Sequence, residues 1–124
     1  MINSLRIIDN LPFVKIKVKY KDKEILLSNV LVDTGSGGTI IKSDVAKKIG
    51  IKPEPEDIIG SIRGVGGQEF VFIKKLDSLE LGNMIVKNME VDIGEMDYGF
   101  KIDGIIGMGF LLKAKAIIDL ENFI

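Results

Sequence analysis

Residues 14–20 cannot form an amphipathic helix: Val14, Ile16, Val18 and Tyr20 alternate with Lys15, Lys17 and Lys19. A period of two buries one face of an extended strand and leaves the other in water. The polar cluster 21–24 then separates this strand from the β-branched and leucine-rich run 25–32. The two read as neighbouring antiparallel strands joined by a short turn, and the second delivers the chain to Asp33.

The rest of the chain repeats the theme. Ser43 is expected to N-cap a short helix running to Ile49, with Asp44 in its first turn, Lys47 and Lys48 in its last, and Gly50 closing it. Pro53 and Pro55 mark a loop, after which segments 58–63 and 68–75 flank Gly64, Val65, Gly66 and Gly67 as a hairpin with a bare tip. A second hairpin places Leu76, Leu79 and Leu81 before Gly82-Asn83, with Val86, Met89, Val91 and Ile93 after it and a bulge near Asn88. Residues 94–100 read as a connecting loop, 108–114 as a helix of one or two turns, and 116–120 as a final strand. Many short strands with little helix predict an all-β fold, and 124 residues without a linker or repeat predict one domain over residues 1–124.

Composition narrows the chemistry. The chain has no histidine, which removes the commonest general base and every Ser-His or Cys-His arrangement, and no cysteine, which removes disulfides and thiolate nucleophiles. Lys+Arg 17 against Asp+Glu 18, interspersed along the chain, gives no footprint for nucleic acid or an anionic membrane. Without an apolar leader or membrane-length run, the expectation is a cytoplasmic protein. Any reaction must run on carboxylates, amines or hydroxyls.

Asp33 is the carboxylate that needs explaining. It follows Val30-Leu31-Val32 at a strand end, where partial burial is costly unless something compensates. Thr34 and Gly35 offer a hydroxyl and close backbone amides, while Gly37 and Gly38 let the chain turn away. Rival readings are weaker. Residues 35–38 match no phosphate-loop spacing, and Asp92, Glu95 and Asp97 do not follow a calcium-loop pattern and read as a solvated acidic loop. Asp103 lacks a following Thr-Gly and reads as a turn cap, and Ser36 or Ser43 with Lys42 has only sequence proximity in its favour. No cofactor or metal is expected.

Leu31-Val32-Asp33-Thr34-Gly35-Ser36 resembles the apolar-apolar-Asp-Thr-Gly-Ser/Ala signature of aspartic peptidases, and Asp103-Gly-Ile-Ile-Gly107 resembles their downstream apolar-apolar-Gly element. With one Asp-Thr-Gly and a glycine hairpin between the two motifs, the chain is similar to the single-lobed retropepsins over nearly its whole length. It departs from the retroviral pattern where Gly37 and Met108 stand in place of an Asp and an Arg that pair to support the dimer. Because both are missing together, no buried charge is stranded.

The resemblance implies a retropepsin-like acid protease fold, a single lobe with one short helix after the Asp-Thr-Gly loop and a short C-terminal helix, paired as a homodimer. It implies an aspartic endopeptidase in which Asp33 from each subunit shares one proton and activates water, with Thr34 gripping across the dimer and Gly35 supporting the loop. A polypeptide substrate would lie against Ser36 and under a flap formed by Gly64, Val65, Gly66 and Gly67. Residues 5–8 and 123–124 would interleave with their symmetry mates as N- and C-terminal strands. The alternative is a peptide-binding or scaffolding dimer on the same fold without turnover.

Overall fold

The computed structural model describes residues 4–64 and 67–124. The alternating segment forms strand β2 (Leu11–Tyr20), with Val14, Ile16, Val18 and Tyr20 all buried. It is preceded by β1 (Arg6–Ile8) and pairs antiparallel with β3 (Lys23–Val32), as its pattern predicts. The β2–β3 register slips by one between Val14 and Ile16, so β3 carries an extra residue near Ser28 and Asn29. The bulge moves the buried positions of β3 from Leu27 to Val30 and Val32, which sets the side on which Asp33 leaves the strand.

Beyond Asp33 come β4 (Ile40–Lys42), the single turn α1 (Ser43–Ala46) and a 3-10 turn, Lys47–Ile49, closed by Gly50 at φ 81°. Ser43 is the first helical residue rather than the cap; Lys42 holds the capping position, with no side-chain hydrogen bond. Extended residues 40–42 lead straight into the helix, so Ser43 has helical dihedrals where a cap must be extended. The hairpin strands follow as β5 (Ile59–Gly64) and β6 (Gly67–Leu81), then β7 (Met84–Gly94), β8 (Gly104–Ile106) and α2 (Met108–Ala114).

β6 is one long strand that serves both hairpins. It pairs with β5 at one end and with β7 along most of its length, and near Lys17–Lys19 it also pairs with β2, joining the first and second halves of the chain. The expected bulge near Asn88 takes an unexpected form. Asn88 is left-handed at φ 54°, yet the β6–β7 register is the same on both sides of it. Burial changes phase on both strands at this level, Leu76 to Leu79 on β6 and Val86 to Met89 on β7, so each strand absorbs one residue and the pairing is preserved.

Among the described residues, eight strands run in the order β1-β2-β3-β8-β4-β7-β6-β5. One side of the folded sheet packs the main core around Ile16, Val18, Leu76, Leu79, Ile93, Ile106 and Phe110. The other side carries a smaller cluster of Ile40, Val71, Met96 and Ile102, flanked by Leu31, Ile62 and Ile105. Among the described residues no helix is long and apolar enough to cross a membrane.

The expected final strand over 116–120 does not form. Residues 116–118 are irregular, and 119–124 close a turn in which Asp119 and Ile124 exchange backbone hydrogen bonds, while Asn122 donates to the Asp119 carboxylate and holds it below the usual range. Among the described residues no strand pairs with this segment; Ile117 is 88% exposed and Leu120 64%. An extended segment without a ladder partner leaves its backbone groups to turn and solvent. At the N-terminus, β1 pairs with β2 of its own chain, and Leu5 N–H donates to Phe123 carbonyl at 2.8 Å.

Lys74 points from β6 into the main-core side, where it is 6% exposed and meets Glu54 and Asp57 from the proline loop; its ammonium lies 3.0 Å from Asp57. Burial works against its charge, but hydrogen bonds to the two acids outweigh this and hold Lys74 above its usual range. Glu54 is held low chiefly by its hydrogen bond to Lys74, and Asp57 is held low because that ammonium and the Glu54 backbone overcome desolvation. Carboxylates with lowered folded values add stability that is present above their ordinary values, 3.8 and 4.5, and is lost as pH falls through the lowered ones. Lys74→Met is therefore expected to be less stable than wild type in urea denaturation at pH 7, with the gap shrinking toward pH 3.

Candidate active site

The Asp33 loop is built by strand insertion. β8 lies between β3, to which it is parallel, and β4, to which it is antiparallel. Residues 33–39 must therefore bridge over the end of β8. The ladder continues into the loop, with Asp33 N–H donating to Ile106 carbonyl at 3.0 Å. Asp33 Oδ1 then accepts from Gly35 N–H at 2.9 Å, and Ser36 N–H donates to the Asp33 carbonyl at 3.1 Å. The carboxylate is thus fixed by its own turn while remaining partly exposed.

Strand exit and loop are then tied together. Met108 N–H donates to Ser36 carbonyl at 2.7 Å and Gly109 N–H to Gly37 carbonyl at 2.9 Å, so the first amides of α2 are satisfied by the loop it supports. Thr39, 3% exposed, accepts from Gly107 N–H through its hydroxyl at 3.3 Å. A Cβ on Gly107 would stand 2.2 Å from Gly38 carbonyl oxygen and 2.5 Å from that of Ser36, so no side chain fits there. On Gly104 it would stand 2.9 Å from Ile40 carbonyl oxygen.

The residues singled out in the sequence divide clearly. Asp33 and Gly35 form one hydrogen-bonded turn; Thr34 is exposed beside it, and the Ser36 hydroxyl donates to Gly38 carbonyl at 2.9 Å within the loop. Gly64 and Gly67 face each other as the last pair of the β5–β6 hairpin, while Val65 and Gly66 lie outside the described residues. Asp103 has a structural task. Its carboxylate accepts from Asn29 N–H at 3.1 Å and its own N–H donates to Asn29 carbonyl at 2.8 Å, fastening the β3 bulge.

Three features escaped the sequence reading. Thr39 was passed over, although a hydroxyl directly before apolar Ile40 and Ile41 was a usable signal. Glu69, on β6, accepts from Met96 N–H at 3.0 Å and from Tyr98 hydroxyl at 3.3 Å, fastening the hairpin arm to loop 95–98. Burial first, and the Glu69 charge second, push the Tyr98 hydroxyl up. Asp92, read as part of a solvated loop, is instead inside β7 with Ile40 and Ile73 as register partners. Its flanking Val91 and Ile93 face the main core, which sends Asp92 to the opposite side.

A family model described as aspartyl protease matches residues 16–110, from within β2 through the Asp33 loop, the hairpin and β8 into α2. The chain belongs to the aspartyl protease family. Among solved structures, this aspartyl protease chain resembles a retropepsin-like aspartic protease from Rickettsia conorii, with a TM-score of 0.70 and 20% identity over 98% of this chain and 85% of that one. It also resembles EIAV protease in complex with an inhibitor, with a TM-score of 0.66 and 18% identity over 91% and 96% of the two chains. No curated protein matches. The retropepsin-like fold expected from the two motifs is thereby established, with its two short helices where the sequence placed them.

Within this aspartyl protease lobe, Gly107 carries the tightest backbone crossing. Gly107→Ala is expected to lower stability by about 3 kcal/mol or more, the upper range for forcing a methyl into a packed site. Amide exchange at residues 36–39 and 107–109 is expected to accelerate more than at Leu76. Unchanged protection in the loop would show that the crossing tolerates a side chain.

Proposed function

We propose that the protein is an aspartic endopeptidase whose active site is completed by a second copy, each chain supplying Asp33. The observation that carries this reading is the partly exposed Asp33 carboxylate, held by Gly35 N–H on a loop whose backbone is fixed on both sides of β8. A single carboxylate of this kind lacks an acid/base partner within the described chain; Asp103, the other acid of the motif pair, is bound to Asn29. A second Asp33 across a two-fold axis supplies the partner. Two carboxylates in contact cannot both ionise comfortably, so they hold one proton between them.

The ionised member removes a proton from water, and that water attacks the scissile carbonyl. The protonated member delivers its proton to the carbonyl oxygen as the tetrahedral species forms. Thr34 would grip its mate across the axis, Gly35 would hold the carboxylate's orientation, and Ser36 with Gly64, Val65, Gly66 and Gly67 would line the peptide. The apolar surface supports pairing. A cavity of about 360 Å³ lies among Leu5, Val32, Leu111, Ile117 and Ile124, and Ile7, Leu112, Ile117, Leu120 and Phe123 are exposed around the chain ends. The surface is apolar enough to be covered by a partner.

Asp33→Asn is expected to retain fold and self-association and to lose at least about a thousandfold in cleavage of a mixed peptide library. Wild-type specific activity is expected to rise with protein concentration over the range in which ultracentrifugation shows dimer formation. Undiminished cleavage by the variant overturns the reading. Thermal stabilisation by a statine-type inhibitor without any cleavage supports instead a peptide-binding dimer that does not turn over.

A further inference from the structure

Asp92 is an unusual place for an acid. It lies in the middle of the β4–β7–β6 stretch of sheet, with Ile40 beside it on one strand and Ile73 on the other. Both neighbours are apolar, and strand alternation puts all three on the side of the smaller cluster, with Val71, Leu31, Ile62 and Ile105. Leu31 precedes Asp33 by two residues, so alternation brings the Asp33 carboxylate out on this side as well.

Across from Asp92 stands the Asp33 loop. Asp92 N–H donates to Thr39 carbonyl at 2.8 Å, and the point where a Cβ on Gly38 would stand is 3.5 Å from Asp92 Oδ2. Because residue 38 is glycine, no side chain covers the carboxylate from the loop. Among the described residues no donor or cation within hydrogen-bond or ion-pair distance meets its oxygens, whereas Glu69 and Asp103 are each satisfied by neighbours. A partly buried carboxylate with apolar neighbours and no partner is costly, and a cation entering from the open side removes that cost.

We propose that Asp92 is a specificity-determining residue of the cleft, which pairs with a cationic side chain, lysine or arginine, of a peptide lying beside Gly38. The proposal rests on the peptidase reading above and adds to it a class of substrate. A carboxylate in this position discriminates strongly, because an apolar side chain of equal length would leave it buried and unpaired.

Burial raises Asp92 above its ordinary 3.8. A raised carboxylate is neutral in acid and gains its charge only as pH climbs through the raised value, so preference for a cation grows with pH. The ionisable groups facing it are Glu90 on its own strand, Lys75 and Glu69 on β6, Lys42 on β4, Asp33 in the loop, and Tyr98 beyond Glu69. Among the described residues neither Lys75 nor Lys42 forms an ion pair with Asp92; the ion pairs present join Lys19 to Glu24 and Glu80 and Lys74 to Glu54 and Asp57.

The test uses the full chain and statine-containing peptides in which one position at a time, on either side of the statine, is lysine or norleucine. Binding is measured by calorimetry at pH 4 and pH 7 for wild type, Asp92→Asn and Asp92→Thr, the last keeping strand propensity should the amide fold poorly. At pH 7 the wild type is expected to favour lysine by about tenfold or more at one position. That preference should shrink at pH 4 and vanish in both variants, with norleucine peptides bound as in wild type. Equal binding of lysine and norleucine peptides by wild type, or a preference that survives both substitutions, overturns the assignment of Asp92 alone. Failure of every peptide to bind wild type overturns the peptidase reading and this proposal with it.

Discussion

The passage of residues 33–39 over the end of β8 is the constraint from which the rest of this lobe follows. A short strand slotted between β3 and β4 brings three backbones together at Gly107, where the loop carbonyls of Ser36 and Gly38 lie closer than any side chain permits. In return, the loop's carbonyls accept the first amides of α2, and Thr39 takes the remaining N–H of Gly107. A loop held at this many backbone points does not drift. Asp33, fixed by its own turn within it, keeps one orientation without a dedicated partner.

The two sides of the sheet then take separate tasks. The side packed around Phe110 and Leu76 is the core, and it tolerates one ion only because Lys74 has two acids on it. The other side collects Leu31, Ile40, Val71 and Ile105 under the hairpin arm, with Glu69 fastening that arm to loop 95–98. Strand alternation is what separates them, and the β3 bulge, fastened by Asp103, is what selects the side on which Asp33 leaves its strand. A one-residue change there would direct the carboxylate into the core.

Much of this was legible beforehand. The β2 and β3 strands, both hairpins, the helical turn after the Asp33 loop and the helix after Gly107 all follow from local patterns of apolar alternation, glycine and charge. The final strand was misread for a physical reason: Ala116 to Leu120 has strand composition, but a strand exists only with a ladder partner, and among the described residues none pairs with it. Asp92 was misread because Glu95 and Asp97 follow it closely and suggest an acidic loop, whereas β7 runs past it, paired with β6 as far as Ile93 and with β4 to Gly94. Glu69 carried no signal at all, since its partners come from a loop far along the chain.

The sequence by itself determined the chemistry available and the local shapes. Without histidine or cysteine, an Asp-Thr-Gly after an apolar strand leaves carboxylate chemistry, and periodicity places most strands. Only the tertiary structure decided which carboxylate is engaged and which is open: Asp103 fastened to a bulge, Glu69 to a loop, Asp92 facing the Asp33 loop across a glycine. The reason is that an acid's role depends on what stands within a few ångströms of its oxygens. For these side chains the neighbours come from strands that meet through non-consecutive pairing, which no local pattern encodes.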